Sequence, residues 1–295
     1  MILVFGSINL DLIFDMEALP APGETRLARA MRTEPGGKGA NQAVAAARDG
    51  GEVALYGAVG RDAFANPAQA GLESAGVDVW GVEAVAGATG VASIVTDKAG
   101  RNAIAVAPGA NLKARQGKVP DEFLDDATIV LLQMECDLKE TARLIHRAHD
   151  AGARVILNLA PAAELPLEAL KKCWLIVVNE QEAEFLAAQV GAGADAASLS
   201  ARLGAGVLRT LGAEGSEACV EGVAHRVAAH AVKAVDTTAA GDCFVGVLAA
   251  ALDRGLDLPA AMRRASVAAA LACTKRGSQG SAPEAGEIDA AMTGG

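Results

Sequence analysis

The chain has 295 residues, with 26 basic against 36 acidic side chains and a net charge of −10. That balance repels polyphosphate backbones, which are bound through clustered Lys and Arg, so nucleic acid is excluded as the main ligand. Apolar residues make up 52% and aromatics only 3%, so the chain is too apolar for disorder and must build its core from Ala, Val and Leu.

Length alone fits two domains or one α/β unit with an appendage. The first element is an apolar run of strand length, Ile2 to Phe5, and the first basic residue is Arg26, which argues against a secretory signal. Asp11 to Glu34 then breaks into short alternating apolar segments with Gly and Pro, a pattern of strands outside a main sheet. A helical stretch over residues 38–49 and a strand at Val53 to Tyr56 follow, and Gly90 to Val106 repeats the short alternating pattern. Next come a strand at Thr128 to Leu132, a helix over 138–150, and strands at Val155 to Leu157 and Leu175 to Val178. Helices over 180–190 and 195–203, a strand at Gly206 to Arg209, and helices near 241–254 and 258–273 complete the chain. Continuous apolar strands separated by helices predict a parallel sheet covered on both faces, here with a small β appendage.

The apolar run Cys243 to Leu252 is short of the roughly 18 residues of a membrane span. Five widely spaced cysteines without a C-x-x-C pair read as reduced, buried thiols, and the expected location is the cytoplasm. The stretch Gly191 to Ala196 fits a loose dinucleotide fingerprint, but a helix rather than a strand precedes it, so it reads as a loop. No Walker A pattern exists, because Gly37-Lys38 is followed by Gly39 and Gly117-Lys118 by Val119. Of the histidines only His146 and His149 share a helix face, and they read as solvated residues rather than metal ligands.

Two segments carry chemistry. In Pro35-Gly36-Gly37-Lys38-Gly39-Ala40-Asn41-Gln42, three glycines allow backbone to approach a ligand, and the helix beginning near Lys38 presents unpaired N–H groups. Spacing alone also allows a tight turn and helix cap. In Val235-Asp236-Thr237-Thr238-Ala239-Ala240-Gly241-Asp242, small residues run into a strongly apolar helix, so the amides of Ala239 to Asp242 form an anion site at its start. Asp242 also fits a simple helix-start cap, but a cap does not require Ala-Ala-Gly before it.

Together the two segments resemble the paired signatures of the ribokinase family of sugar kinases. Gln133-Met134-Glu135, Asn158 to Pro161, Asn179-Glu180-Gln181-Glu182, Thr210-Leu211-Gly212 and Thr274 to Gln279 resemble the family in the same order, over about residues 3 to 290. The resemblance implies one α/β domain over 1–295: a doubly wound, mostly parallel sheet flanked by helices, with a small β-sheet lid inserted from about 11–34 and 90–106. It implies transfer of the γ-phosphoryl group of ATP to the 5-hydroxyl of D-ribose. Asp242 matches the catalytic base, with the amides of Ala239, Ala240 and Gly241 stabilising charge on the transferring group. Asn9, Asp11, Gly37, Lys38, Gly39, Ala40, Asn41 and Glu135, together with Asp242, match the sugar-binding positions.

For the nucleotide, the resemblance implies Asn179, the stretch Thr210, Leu211, Gly212, Ala213, Glu214 and Gly215, then Gly241, Asp242 and Ser266. Asn179 and Glu182 match residues that organise Mg²⁺ through water. Asp236, Thr238, Ala272, Lys275, Gly277 and Ser281 match the loop positions around an activating K⁺, Lys275 through its carbonyl only. The partners implied are ribose, ATP and a second copy joined through the lid. Leu159 departs from the family's Asn-Pro-Ala-Pro and is expected to loosen a turn near the sheet edge; Arg209 reads as an exposed strand end. Ser266 stands where a bulkier nucleotide neighbour is common. Deoxyribose, ketodeoxygluconate or nucleoside kinases of the family are the alternatives, and a non-catalytic sugar sensor is the rival from another class.

Overall fold

The computed structural model describes residues 1–293. Its first strand, β1 (Ile2–Phe5), is buried on both faces: Ile2 and Val4 point into one apolar cluster, Leu3 and Phe5 into another. That alternation follows from the period-2 geometry of a strand and makes β1 the middle of a three-layer structure. The chain then leaves the main sheet for β2 (Asn9–Asp15) and β3 (Ala30–Gly36) and returns through α1 (Lys38–Arg48), β4 (Val53–Gly60), α2 (Ala65–Ser74) and β5 (Asp78–Val85). A second excursion builds β6 (Gly90–Thr96) and β7 (Asn102–Ala107). The alternation β8 (Ile129–Leu132), α3 (Leu138–Asp150), β9 (Arg154–Asn158), α4 (Leu167–Leu170), β10 (Leu175–Val178), α5 (Glu180–Val190), α6 (Ala196–Leu203) and β11 (Gly206–Thr210) follows. A hairpin, β12 (Ser216–Val220) and β13 (Val223–Val227), precedes α7 (Ala240–Asp253), α8 (Leu258–Cys273) and α9 (Ala285–Thr293).

The main sheet has nine strands in the order β13-β12-β11-β10-β9-β8-β1-β4-β5, parallel except for the β11–β12–β13 meander. Helices α1, α7 and α8 cover one face, α3, α5 and α6 the other, which is the doubly wound α/β arrangement. Helix α7 is buried at every position from Asp242 to Leu252, which explains its continuous apolar run. Strands β3-β2-β6-β7 form the separate small sheet expected as a lid.

Several features differ from the sequence-based expectation. Strand β5, helices α2, α4 and α9 and the β12–β13 hairpin are not anticipated, because they are short, edge or surface elements without continuous apolar runs. The hairpin corrects Arg209: β11 is covered by β12, and the Arg209 guanidinium lies 3.1 Å from Glu217 of that strand instead of in open solvent. Leu159 is corrected likewise. It is fully buried beside β9, an interior strand between β8 and β10, and its N–H donates to the Val177 carbonyl at 3.0 Å, so it extends the ladder instead of loosening an edge.

Candidate active site

The order of the sheet reverses at β1, which pairs with β4 on one side and β8 on the other. Ligands of doubly wound sheets bind outside the carboxyl ends of the strands at such a point. Here the β1 end leads through Gly6 and Ser7 into the lid, and the same place receives the starts of α1 and α7. Gly37 caps α1 with φ of 91°, and a Cβ on it would lie 2.8 Å from the Asn9 amide and the Ser7 carbonyl. Only glycine fits there. The Pro35–Gln42 segment is therefore a strand end and helix start, which settles the open choice against a C-cap.

Two cavities meet at the first turn of α7. One, of about 680 Å³, lies under the lid and is lined by polar Asn9, Asp11, Lys38, Asn41, Glu135 and Asp242 opposite apolar lid side chains such as Ile94 and Ile104. The other, of about 510 Å³, is lined by Thr210, Gly212, Ala213 and Gly215 after β11, by Ala240 and Gly241, and by Ser266 of α8. Thr237 lines both. Ala239, in the left-handed conformation at φ 57°, turns the chain into α7 between them. A Cβ on Gly241 would meet nothing within 4 Å, so backbone there is open to a ligand.

Asp242 sits at this junction with 6% exposure. Its Oδ2 accepts from Asn41 Nδ2 and its Oδ1 from Gln42 Nε2, both at 3.0 Å. The carboxylate is thus aimed by two neutral amides from α1, in addition to standing in the first turn of its own helix. Asn41 Oδ1 is buried without a partner. An unmet acceptor beside this carboxylate suits a ligand hydroxyl.

Charge in the lid cavity is strongly unbalanced. Burial first, then Glu135, Glu34 and Asp242, push the Asp11 carboxyl up to about 7, and no hydrogen bond offsets this. The Lys38 ammonium is held above its usual range chiefly by Asp242, then by Glu135 and Glu182, although burial works against it. Burial raises Glu182, opposed by the Asn179 amide and Lys38. Glu135 Oε2 accepts from the Ser7 hydroxyl at 2.5 Å and from the Lys38 amide at 3.1 Å, so one of its oxygens fastens the start of α1. Gly39 N–H donates to Ser7 Oγ at 3.2 Å, and Ala40 N–H to the Ser7 carbonyl at 2.9 Å. Asn111 fixes Asn9 by donating to its Oδ1 at 2.7 Å and accepting from the Ile8 amide at 2.9 Å. Ser7, Gln42 and Asn111 were not singled out from sequence, since each acts on a residue distant in the chain.

Of the nucleotide positions expected from sequence, Thr210, Gly212, Ala213, Gly215, Gly241 and Ser266 come together around the second cavity. Leu211 is buried and Glu214 exposed, and neither side chain lines it. Cavity residues missed from sequence lie in the loop from Ala229 to Ala234, in Phe244 of α7 and in Ala269, Ala270 and Cys273 of α8. Asn179 and Glu182 form a reciprocal capping box at the start of α5, Asn179 Oδ1 accepting from the Glu182 amide and Glu182 Oε2 from the Asn179 amide, both at 2.8 Å. Glu182 Oε1 takes no part in it.

Asp236 binds the Thr238 amide at 2.9 Å and the Gly277 amide at 3.2 Å, drawing those three expected cation-loop residues together. Burial raises its carboxyl, but the bonds from Thr238 and Gly277 outweigh this and hold it below the ordinary range. The Lys275 ammonium turns away to Glu287 at 2.8 Å, and the Ser281 hydroxyl donates to the Ser278 carbonyl at 2.8 Å. The Ala272 carbonyl accepts from the Lys275 amide at 3.1 Å. Among the described residues no three His, Cys, Asp or Glu cluster as a metal site, and no helix is long and apolar enough to cross a membrane.

A buried carboxylate between two cavities at a helix start suits transfer of a phosphoryl group to a small polar acceptor, and comparison with known proteins agrees. The family model described as "pfkB family carbohydrate kinase" matches residues 1–285, and the chain belongs to that family. It is 34% identical to the ribokinase of Schizosaccharomyces pombe, over 98% of this chain and 96% of that one. It is 36% identical to the deoxyribokinase of Salmonella typhimurium, over 96% of this chain and 95% of that one. The structure of Arabidopsis thaliana ribokinase complexed with ribose and ATP superposes with a TM-score of 0.87 at 29% identity, covering 100% of this chain and 99% of that one.

Proposed function

We propose that this protein is a cytoplasmic ribokinase, transferring the γ-phosphoryl group of ATP to the 5-hydroxyl of D-ribose. The observation that carries the proposal is Asp242: an amide-held carboxylate on the first turn of α7, between a polar cavity under a lid and a second cavity lined by small residues. Ribose belongs in the first, its hydroxyls meeting Asn9, Asp11, Asn41 and Glu135 and the backbone of Gly37; Gly39 and Ala40, expected from sequence among the sugar contacts, instead give their amides to Ser7 and do not line the cavity. ATP belongs in the second, with its terminal phosphate at the amides of Ala240 to Asp242. Asp242 accepts the proton of the attacking hydroxyl as the oxygen bonds to phosphorus and the bond to the leaving ADP oxygen breaks. The amides and the Lys38 ammonium meet the charge on the transferring group.

A ketoacid acceptor fits less well, since Lys38 is the one basic residue lining the lid cavity among the described residues and three carboxylates surround it. A nucleoside would find no aromatic ring there to stack on.

Glu182, whose Oε1 is left free by the capping box and whose carboxyl feels Lys38 and Asp242, would help hold Mg²⁺ through water with Asn179, and Mg²⁺ would neutralise phosphate charge. Potassium would be held at the Asp236 loop, where the Asp236 carboxylate joins Thr238 to Gly277, with the carbonyls of Thr238, Ala272, Lys275 and Gly277 and with Ser281 as oxygen ligands. One face of the lid carries Phe14, Met31 and Val95 on neighbouring strands, and the edge strands β3 and β7 are exposed, so a homodimer joined through the lids would cover both. The test is an ATP-dependent phosphorylation assay over D-ribose, 2-deoxy-D-ribose, inosine and ketodeoxygluconate. The proposal expects the highest kcat/KM for D-ribose. A preference for any of the others would replace it, and 2-deoxyribose is the sharpest competitor given the 36% identity to a deoxyribokinase.

A further inference from the structure

Behind Asp242 lies a chain of buried side-chain amides that touches no ligand cavity. Gln42 is fully buried and all its main hydrogen-bonding positions are committed. Its Nε2 donates to Asp242 Oδ1 at 3.0 Å and to Asn158 Oδ1 at 2.9 Å, while its Oε1 accepts from Gln133 Nε2 at 2.7 Å. Asn158 in turn donates to the Val177 carbonyl at 3.2 Å. Every link is directional. A flipped Gln42 amide would set oxygen against the Asp242 carboxylate and the Asn158 oxygen, and N–H against the Gln133 donor. The anchors are the ends of β8, β9 and β10, so the sheet itself defines the orientation of the amide.

The cost of such an arrangement indicates a purpose. Three amides are buried where apolar residues would pack, and Gln133 Oε1 is left without a partner. Buried polar chains of this kind specify one geometry instead of adding much stability. The group whose geometry they specify is Asp242, which is also faced by Lys38 of α1, Asp11 of β2 and Glu182 of α5. Charges surround the carboxylate on the ligand side, but a charge fixes distance poorly and rotation hardly at all. Gln42 fixes both.

We propose that Gln42 is a positioning residue for phosphoryl transfer: held by Gln133 and Asn158, it sets the rotation of the Asp242 carboxylate toward the acceptor hydroxyl. This rests on the reading of Asp242 as the base. Gln42 lines neither cavity, so its loss acts on turnover and spares binding.

The test is Gln42→Glu, which keeps the shape but sets a carboxyl where the amide donor stood. The expected result is a kcat lowered by about 10- to 100-fold, the scale of a misplaced reacting group, with the KM for ribose within about threefold of wild type. In an Asp242→Asn background the same substitution lowers kcat no further, since nothing is left to position. Should Gln42→Glu not fold, Gln133→Leu, which frees only the Gln42 carbonyl, shows a smaller drop in kcat with an unchanged KM. Equal losses in both backgrounds, or a raised ribose KM with unchanged kcat, would overturn the positioning role while leaving the base intact. Near-normal activity of Asp242→Asn alone would instead remove the base, and the proposal with it.

Discussion

Asp11→Asn separates the two things Asp11 does to the protein. Its carboxyl is buried without a hydrogen bond, among Glu135, Glu34 and Asp242, and titrates near 7 in place of 3.8. For an acid raised on folding, the folded state binds the extra proton. Stability is therefore full below the unfolded value, falls as pH rises toward 7, and stays reduced above it. At about 1.4 kcal/mol per unit, the ceiling on this loss is about 4 kcal/mol, and relaxation of the open cleft brings it to about 2–4 kcal/mol. Asparagine removes the titration while keeping the shape. The variant should match wild type in denaturant or thermal unfolding near pH 4, and exceed it by that amount at pH 8, which raises Tm by several degrees. It should simultaneously lose ribose affinity, because the acceptor pair for the sugar hydroxyls is halved. Unfolding curves for the two proteins that stay parallel from pH 4 to 9 would refute the electrostatic argument. Unchanged ribose affinity by calorimetry would refute the binding role.

Gly37→Ala forces a side chain into a left-handed backbone against Asn9 and Ser7; a loss of about 1–3 kcal/mol should appear in unfolding, together with weakened ribose binding, and a variant as stable as wild type would contradict the fit. Replacing K⁺ by a bulky organic cation at fixed ionic strength should lower turnover by about tenfold, with little change in ribose KM, and Asp236→Ala should abolish the difference. Turnover indifferent to the cation would leave the Asp236 loop as a structural turn. Light scattering at micromolar concentration should give twice 29.7 kDa, and Met31→Glu on the outer lid face should shift the mass toward one chain; a monomeric wild type would remove the lid interface.

What was legible in the sequence followed from local chemistry. Strand β1 and helix α7 are buried on every side, so their apolar runs mark them as interior elements. The glycines at 36, 37 and 39 and the Ala-Ala-Gly before Asp242 are visible because close backbone approach demands small residues. The edge strand β5 and the β12–β13 hairpin escaped because half-exposed strands mix polar and apolar residues without a strict period. Arg209 is misplaced for the same reason, since the hairpin that covers β11 is not visible in the sequence; Leu159 is misplaced because the order of strands in the sheet, which puts β9 between β8 and β10, cannot be read from local pattern. Gln42 was hidden differently, since its partners Gln133, Asn158 and Asp242 lie 91, 116 and 200 residues away. The Asn179–Glu182 capping box was available in principle, an Asn followed three residues later by Glu at the start of a helix.

The central claim is that Asp242 is the base that activates the sugar hydroxyl. Its most direct measurement is the rate of ribose 5-phosphate formation by purified Asp242→Asn at saturating ATP and ribose, alongside calorimetric ribose affinity. The account predicts a folded protein that binds ribose normally and turns over about 10²- to 10⁴-fold more slowly than wild type; turnover within a few-fold of wild type would contradict it.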